Sequence, residues 1–262
     1  MRAKEKEIKV GVDYNLIDYS SYWQNREYEW EAERIALEKL FSYIPGKEQK
    51  IILEIGGGFG RLAAIYAPFF KDVILLEPSE KLLKEAQTNL AAQKNLTFLA
   101  GRGEAIPQEG KSVDVALMVR VSHHFQDLSP VLKEINRILK PQGFLILEFA
   151  NKIHFKARLR ALAKGDFSFR KNLTPFDQRR QSRKDPEVVF LNHHPQAVLN
   201  ALSENNFEVK KVLSVSNFRS PFLKKVLPQK WLLFWEKSTQ NILASFWFGP
   251  SIFILAKKID PQ

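Results

Sequence analysis

The 262-residue sequence contains no cysteine. Disulfides, cysteine-ligated zinc, iron–sulfur clusters and thiol catalysis are excluded together, so any chemistry must use other side chains. Acidic residues are in deficit: 29 Asp and Glu stand against 40 Lys and Arg, for a formal net charge of +11. Long apolar runs are also missing. The opening residues MRAKEKEIKV lack the apolar centre of a secretory signal, which leads us to expect a cytoplasmic location. The longest C-terminal apolar stretch, Ile242 to Ala256, is short for a bilayer span and is broken by Gly249-Pro250, so it reads as core. The sequence has no internal repeat and no low-complexity segment.

What is present begins with size: at 45% hydrophobic content the chain can bury one large α/β core, with at most a small appendage. We expect a single domain over 1–262, made of a helical cap (1–45), a core (46–151), a basic insert (152–192) and a completion of the sheet (193–262). The positive charge concentrates between Lys152 and Lys184, where Lys156, Arg158, Arg160, Lys164, Arg170, Lys171, Arg179, Arg180 and Arg183 also fall. Such asymmetry points to an acidic partner: an anionic small molecule, anionic lipid at a peripheral membrane contact, or nucleic acid. A solvated loop without a ligand is the alternative. Nucleic acid is the weakest of these readings, because the basic residues lack a recognisable binding motif. Oligomeric state is not legible.

Periodicity gives alternating elements. Residues 26–44 read as an amphipathic helix, with Trp30, Ala36, Leu37, Leu40, Phe41 and Ile44 at helical spacing. Strands are expected at 50–55, 73–76, 96–100, 114–119 and 144–149, with helices at 61–70, 80–93 and 131–139, the last stopped by Pro141-Gln142-Gly143. Repeated β-α units of this length imply a parallel sheet covered by helices on both faces, with ligands at the carboxyl ends of the strands. From Asn151 to about Leu191 the chain reads as irregular and basic. A helix at 195–204 and strands at 207–215 and 251–257 follow, and residues 217–248 between those strands are rich in Phe, Trp, Leu and Lys.

Chemistry concentrates first at Glu54-Ile55-Gly56-Gly57-Gly58-Phe59-Gly60-Arg61. A glycine-rich strand-to-helix turn lets backbone approach a ligand and offers unpaired N–H groups to an anion. Gly58 to Ala63 also satisfies the dinucleotide form G-x-G-x-x-G/A, so a nicotinamide-dependent oxidoreductase is the rival reading. Glu54 discriminates. A carboxylate beside a pyrophosphate is repelled by about 4 kcal/mol at ~4 Å and an effective dielectric near ~20. The ammonium of S-adenosyl-L-methionine would instead be attracted, leaving the helix N-terminus for the methionyl carboxylate. Glu77, followed by Pro78 at the tip of the second strand, is placed to accept hydrogen bonds from ribose hydroxyls, a geometry shared by nucleoside cofactors generally.

The series formed by Glu54 to Gly60, Glu77, Gly101-Arg102-Gly103-Glu104-Ala105-Ile106-Pro107, Val113-Asp114-Val115 and Ser122-His123-His124-Phe125 resembles the motifs of class I S-adenosylmethionine-dependent methyltransferases. Among them it is most similar to the ubiquinone- and menaquinone-type branch. The resemblance implies a Rossmann-like seven-stranded, mostly parallel sheet with an antiparallel last strand, and an upstream helix covering the cofactor. It also implies that the glycine turn holds the methionyl part, that Glu77 holds the ribose, and that Arg102, Gly103 and Glu104 line the adenine. The family often has Asp where Arg102 stands, which leaves adenine recognition to Glu104 or to backbone groups. Arg120 is expected on the cofactor side.

Tyr14, Tyr19, Tyr22, Trp23, Arg26 and Tyr28 cluster upstream. Tyr22 and Arg26 are candidates for cofactor contact, and Tyr14 and Trp23 for the substrate cover, since aromatic rings there can pack on a sulfonium. The competing reading is that these rings anchor the helix to the core. His123 and His124 follow the fourth strand and are the candidate general bases. Methyl transfer to an aligned nucleophile can also proceed by positioning alone. Arg158, Arg160, His193 and His194 are the remaining substrate-side candidates. Adjacent His193-His194 lacks metal-ligand spacing, so no metal is expected. A non-catalytic binding protein on the same fold would have lost the cofactor residues, which are present here.

Overall fold

The computed structural model describes Trp23, residues 26–177 and residues 190–259. Tyr14, Tyr19, Tyr22, Arg179, Arg180 and Arg183 lie outside the described residues.

Seven strands form the main sheet: β1 (Ile51–Ile55), β2 (Asp72–Glu77), β3 (Leu96–Ala100), β4 (Val113–Met118), β5 (Leu139–Ala150), β8 (Phe207–Val215) and β9 (Ser251–Lys258). A two-stranded ribbon pairs β6 (Phe176–Asp177) with β7 (Leu191–Asn192). The main order is β3-β2-β1-β4-β5-β9-β8. β1 to β5 pair in parallel, whereas β9 inserts antiparallel to both β5 and β8. The parallel part is the architecture expected from the repeated β-α units, and the antiparallel β9 is the strand that the resemblance implies. β1 hydrogen-bonds β2 on one side and β4 on the other, so the chain reverses its direction of travel across the sheet there, and the crevice for a ligand opens at the carboxyl ends of β1 and β4.

Strand alternation divides the interior in two. Ile52, Val73, Leu75, Val115 and Leu117 face one layer, closed by α1 (Glu27–Phe41) through Ala36, Leu37 and Leu40, by α2 (Ala63–Tyr66) through Tyr66, and by α3 (Glu80–Asn89) through Ala86. Leu53, Ile55, Leu76, Ala116 and Met118 face the other, closed by α4 (Ser129–Ile138) through Leu132 and Ile135 and by α6 (Pro195–Glu204) through Val198 and Leu202. Both faces are covered, which is why these strands read as continuous apolar runs.

Several local expectations change. The helix expected over 61–70 is the short α2 followed by a 3-10 turn over Ala67–Phe69, because Pro68 has no N–H with which to continue the ladder. The stop expected at Pro141-Gln142-Gly143 is instead an irregularity inside β5, which begins at Leu139 directly after α4. Gln142 adopts φ +64, and the register against β4 shifts between Val113 and Val115. The stretch expected to be irregular contains α5 (Phe155–Ala163), whose apolar residues sit among basic ones and are largely exposed. Residues 217–248 fold as α7 (Pro221–Val226) and α8 (Gln229–Ala244). Of the stretch read as core, β9 is buried but Ile242 and Phe246 are exposed.

Candidate functional site

The turn after β1 is packed to the limit of its backbone. Gly56 N and Gly57 N donate to Leu76 O at 2.8 and 3.1 Å, tying the turn to β2. At Gly56, φ is +69, and an added Cβ would stand 2.4 Å from Val121 Cγ2, so only glycine fits. At Gly57 a Cβ would meet Leu75 Cγ at 2.4 Å, and at Gly60 it would meet Leu90 Cδ1 at 2.5 Å.

Glu77 ends β2 almost fully buried. Its Oε2 accepts from Gly58 N and its Oε1 from Ser79 N, both at 2.9 Å. Each oxygen retains a second lone-pair direction, so the acid fastens the glycine turn and can still accept hydroxyl donors. Burial pushes its carboxyl up, opposed by those two backbone N–H groups. Pro78 is exposed, and Ser79 caps α3 by accepting from Leu82 N at 3.3 Å. Gly101 N donates to Glu77 O at 3.3 Å, which sets the loop after β3 beside the acid. In that loop Arg102 and Glu104 are exposed and Gly103 is buried against Val131 and Ile55.

Glu54 points to the layer of Ile52, where Tyr66 Oη donates to its Oε2 at 2.7 Å. Burial pushes its carboxyl up to about 7, opposed by the Tyr66 hydrogen bond and by Arg61, and assisted by Glu77. The acid is therefore lodged under the glycine turn against a phenol. Strand alternation places it there, a detail that its position in the sequence motif does not convey.

Arg61, Glu33 and Glu148 complete this corner and were not singled out from the sequence. Glu33, on α1, is fully buried and accepts from Arg61 Nη2 at 2.8 Å and from Arg120 Nε at 2.7 Å, with Arg120 Nη2 also on it. The Arg61 guanidinium lies 3.5 Å from the Trp23 ring centroid and 4.8 Å from that of Trp30, and Arg120 lies 5.2 Å from Trp23. Arg120 has φ +63, and its N–H donates to the buried Glu148 Oε2 at 2.9 Å. Arg26 donates its N–H to Trp23 O at 3.2 Å at the start of α1. One signal was available: Glu33 falls on the same helical face as Trp30, Leu37 and Leu40, and a charge on a core face needs a partner.

The donors and acceptors here fit a nucleoside carrying an amino acid. Arg61 Nη1 is buried with no hydrogen-bond partner among the described residues, and it follows directly on the glycine turn. A buried guanidinium nitrogen left in that state is costly unless an acceptor such as a carboxylate completes it. Glu77 supplies acceptors of the kind a ribose needs, and the glycine turn has room for backbone contact but not for side chains.

Beyond β4, Ser122–His124 forms a 3-10 turn. His123 is buried, stacks on Phe190 at 4.1 Å and lies against His124 at 4.0 Å. His193 Nε2 bonds Ser122 O at 2.9 Å, bringing the second histidine pair to the first. Burial pushes the His193 ring down, so it is held neutral. In His194 both ring nitrogens are occupied: Nδ1 accepts from Gln196 N at 3.1 Å, capping α6, and Nε2 bonds Arg170 O at 2.9 Å. His194, a substrate-side candidate, thereby fastens the insert to α6. Lys152 Nζ likewise donates to Asn172 O and Thr174 O at 2.6 and 2.7 Å. On α5, Arg158 is half-buried and Arg160 is exposed, with Nε turned back onto Lys156 O at 3.2 Å. Among the described residues, no group of three or more His, Asp or Glu could hold a metal ion.

Residues 53–147 match the family model described as a methyltransferase domain. The methyltransferase YcgJ of Bacillus subtilis (strain 168) is 28% identical over 99 residues, covering 37% of this chain and 39% of that protein. The ubiquinone/menaquinone biosynthesis C-methyltransferase UbiE of Shewanella sp. (strain W3-18-1) is 28% identical over 110 residues, covering 39% of this chain and 44% of that protein. The chain thus spans less than half the length of either relative. In fold it is similar to a SAM-dependent methyltransferase of Thermotoga maritima, with TM-score 0.61 and 20% identity over 92% of this chain and 95% of that one. Motif series, sheet order and matched domain agree: over residues 53–147 the chain is similar to class I S-adenosylmethionine-dependent methyltransferases, whose cofactor is S-adenosyl-L-methionine.

Proposed function

We propose that the protein transfers a methyl group from S-adenosyl-L-methionine to a small-molecule acceptor lying between the carboxyl edge of the sheet and a cover made by the N-terminal segment and the basic insert. The observation that carries this is the Gly58–Glu77 fastening at the switch point, with an Arg61 nitrogen beside the same turn that has no partner among the described residues. The cofactor supplies an electrophilic methyl on a sulfonium. Everything else falls to the chain. Glu77 and the glycine turn hold ribose and methionyl backbone, Arg61 takes the carboxylate, and Glu54 takes the ammonium. Glu33 positions Arg61 and Arg120. Trp23, already stacked on Arg61, closes one side. Arg26, Tyr22 and the loop from Arg102 to Glu104 complete the cofactor enclosure.

Catalysis on this reading is mainly alignment, with His123 or His124 available to accept a proton where the acceptor carries one. His193 fixes the turn that carries them. The density of Lys and Arg in the insert supports an anionic acceptor, which Arg158 and Arg160 would attract, with Tyr14 and His193 alongside. The same excess of charge supports peripheral contact with an anionic membrane. A cytoplasmic location belongs to this proposal, and among the described residues no helix is long and apolar enough to cross a membrane.

The test is calorimetric titration with S-adenosylhomocysteine and with NAD, then incubation with labelled S-adenosyl-L-methionine and fractionated metabolites. Binding of the first ligand, no binding of NAD and label in a small-molecule fraction are expected. NAD binding in place of S-adenosylhomocysteine would overturn the cofactor assignment. Cofactor binding with no transferred label in any fraction would favour a binding protein.

A further inference from the structure

β8 and β9 pair antiparallel with Val215 opposite Ser251, so a turn of about two to five residues would join them. The chain instead inserts residues 216–250, with α7 and α8. The inner face of α8 carries Leu232, Glu236, Gln240 and Ala244, all buried, the two polar residues fully so. Glu236 accepts from Tyr28 Oη at 2.6 Å, Ser216 N at 2.8 Å and Asn217 N at 2.9 Å, and Gln240 Nε2 donates to Ala32 O at 3.1 Å. Its outer face carries Trp231, Phe234 and Ile242, exposed by 51%, 62% and 64%, and α7 adds Phe222 at 71% and Val226 at 59%. At 3.6 residues per turn these three residues of α8, with Trp235 exposed by 39%, fall within roughly 100° of arc, and Lys230 and Lys237 flank it on one side.

Burying large apolar side chains is the ordinary way to hold a helix on a domain. Here the hydrogen-bonded Glu236 and Gln240 share the inner face with only Leu232 and Ala244, and the larger apolar side chains are left outward. The charge around it has one sign: residues 216–250 contain Arg219, Lys224, Lys225, Lys230 and Lys237, and their single acid is the buried, hydrogen-bonded Glu236. Lys224 pairs with Glu29 at 3.1 Å, while Lys225, Lys230 and Lys237 are exposed. An outward aromatic and aliphatic stripe edged by lysines matches an interface whose interior is apolar and whose headgroups are anionic.

We infer that α7 and α8 form the surface by which this protein lies on a bilayer containing anionic lipid, with Phe222, Trp231, Phe234 and Ile242 entering the headgroup boundary and Lys225, Lys230 and Lys237 pairing with lipid phosphates. This gives the peripheral contact proposed above its residues, and it does not depend on methyl transfer. Phe155, at the start of α5, stacks on Phe248 at 5.0 Å, which ties the end of this insertion to the basic insert.

The experiment is co-sedimentation of the full chain with vesicles of phosphatidylcholine alone and of phosphatidylcholine with phosphatidylglycerol, at low and at high salt. Binding to the anionic vesicles, weakened by salt, is expected. A Phe222→Ser/Trp231→Ser/Phe234→Ser variant should partition about tenfold less, and Lys225→Ala/Lys230→Ala should lose roughly tenfold on anionic vesicles only. Unchanged S-adenosylhomocysteine affinity in both variants verifies that they are folded and separates this inference from the cofactor reading. Failure to sediment with anionic vesicles, or sedimentation indifferent to both variants, overturns it. So does a concentration-dependent dimer that the triple serine variant dissolves without any vesicle binding, which would assign the face to a second copy.

Discussion

The environment of Glu54 makes cofactor affinity depend on pH in a calculable way. Burial raises its carboxyl from 4.5 to about 7, so the folded protein without ligand carries the acid largely protonated below neutrality. If the ammonium of the cofactor pairs with Glu54, only the ionised form binds well. With a value of about 7, roughly one molecule in eleven is ionised at pH 6 and one in two at pH 7. Affinity should therefore rise about fivefold across that interval, with release of a proton on binding. An α-amino group ordinarily titrates near ~7.7–8.0, so the ligand keeps its charge over the same range. Without ligand the sign is opposite. A folded value above the unfolded one stabilises below about pH 4.5, and the advantage is lost as pH rises through about 7, on the order of 3 kcal/mol for this fully buried group. The assay is calorimetric titration of S-adenosylhomocysteine at pH 6 and pH 7, in two buffers of different ionisation enthalpy. The control is Glu54→Gln, which retains an acceptor for Tyr66 Oη. Affinity independent of pH, or a rise that survives in Glu54→Gln, would refute the pairing.

Glu77→Ala removes the acceptor of Gly58 N and, on the proposed reading, that of the ribose, and should weaken S-adenosylhomocysteine binding by about 1.5–3 kcal/mol in the same calorimeter. Gly56→Ala combines φ +69 with a Cβ 2.4 Å from Val121 Cγ2, and urea unfolding should register a loss of roughly 2–4 kcal/mol. Glu33→Ala leaves two guanidinium groups without their shared carboxylate, a loss of about 3–5 kcal/mol in the same measurement, and Glu33→Gln should lose less. Replacing Arg158, Arg160, Arg179 and Arg180 by Ala should lower acceptor turnover while leaving cofactor affinity nearly intact; proportional loss of both would remove the insert from the substrate side.

The sequence by itself carried the fold class, because both-face burial writes each parallel strand as an apolar run and each covering helix as a 3.6-residue stripe. It also marked the glycine turn and Glu77, since close backbone approach and a strand-tip acid are local requirements. It did not show what Glu54 meets: strand phase sets its carboxylate under the glycine turn against Tyr66, and only the packed sheet fixes that phase. Arg61, Arg120 and Glu33 lie far apart in the chain and become one cluster only when α1 closes over the tips of β1 and β4. The basic insert illustrates the same limit. Charge density was legible, but whether a given cation faces a ligand or a neighbouring carbonyl was not, and Lys152 turned out to fasten the backbone at Asn172 and Thr174. In residues 217–248 the composition of Phe, Trp, Leu and Lys was equally plain. Which face of α8 those side chains occupy was decided by tertiary structure, because Tyr28, Ser216 and Asn217 supply the hydrogen bonds that draw Glu236 inward and leave the apolar stripe outside.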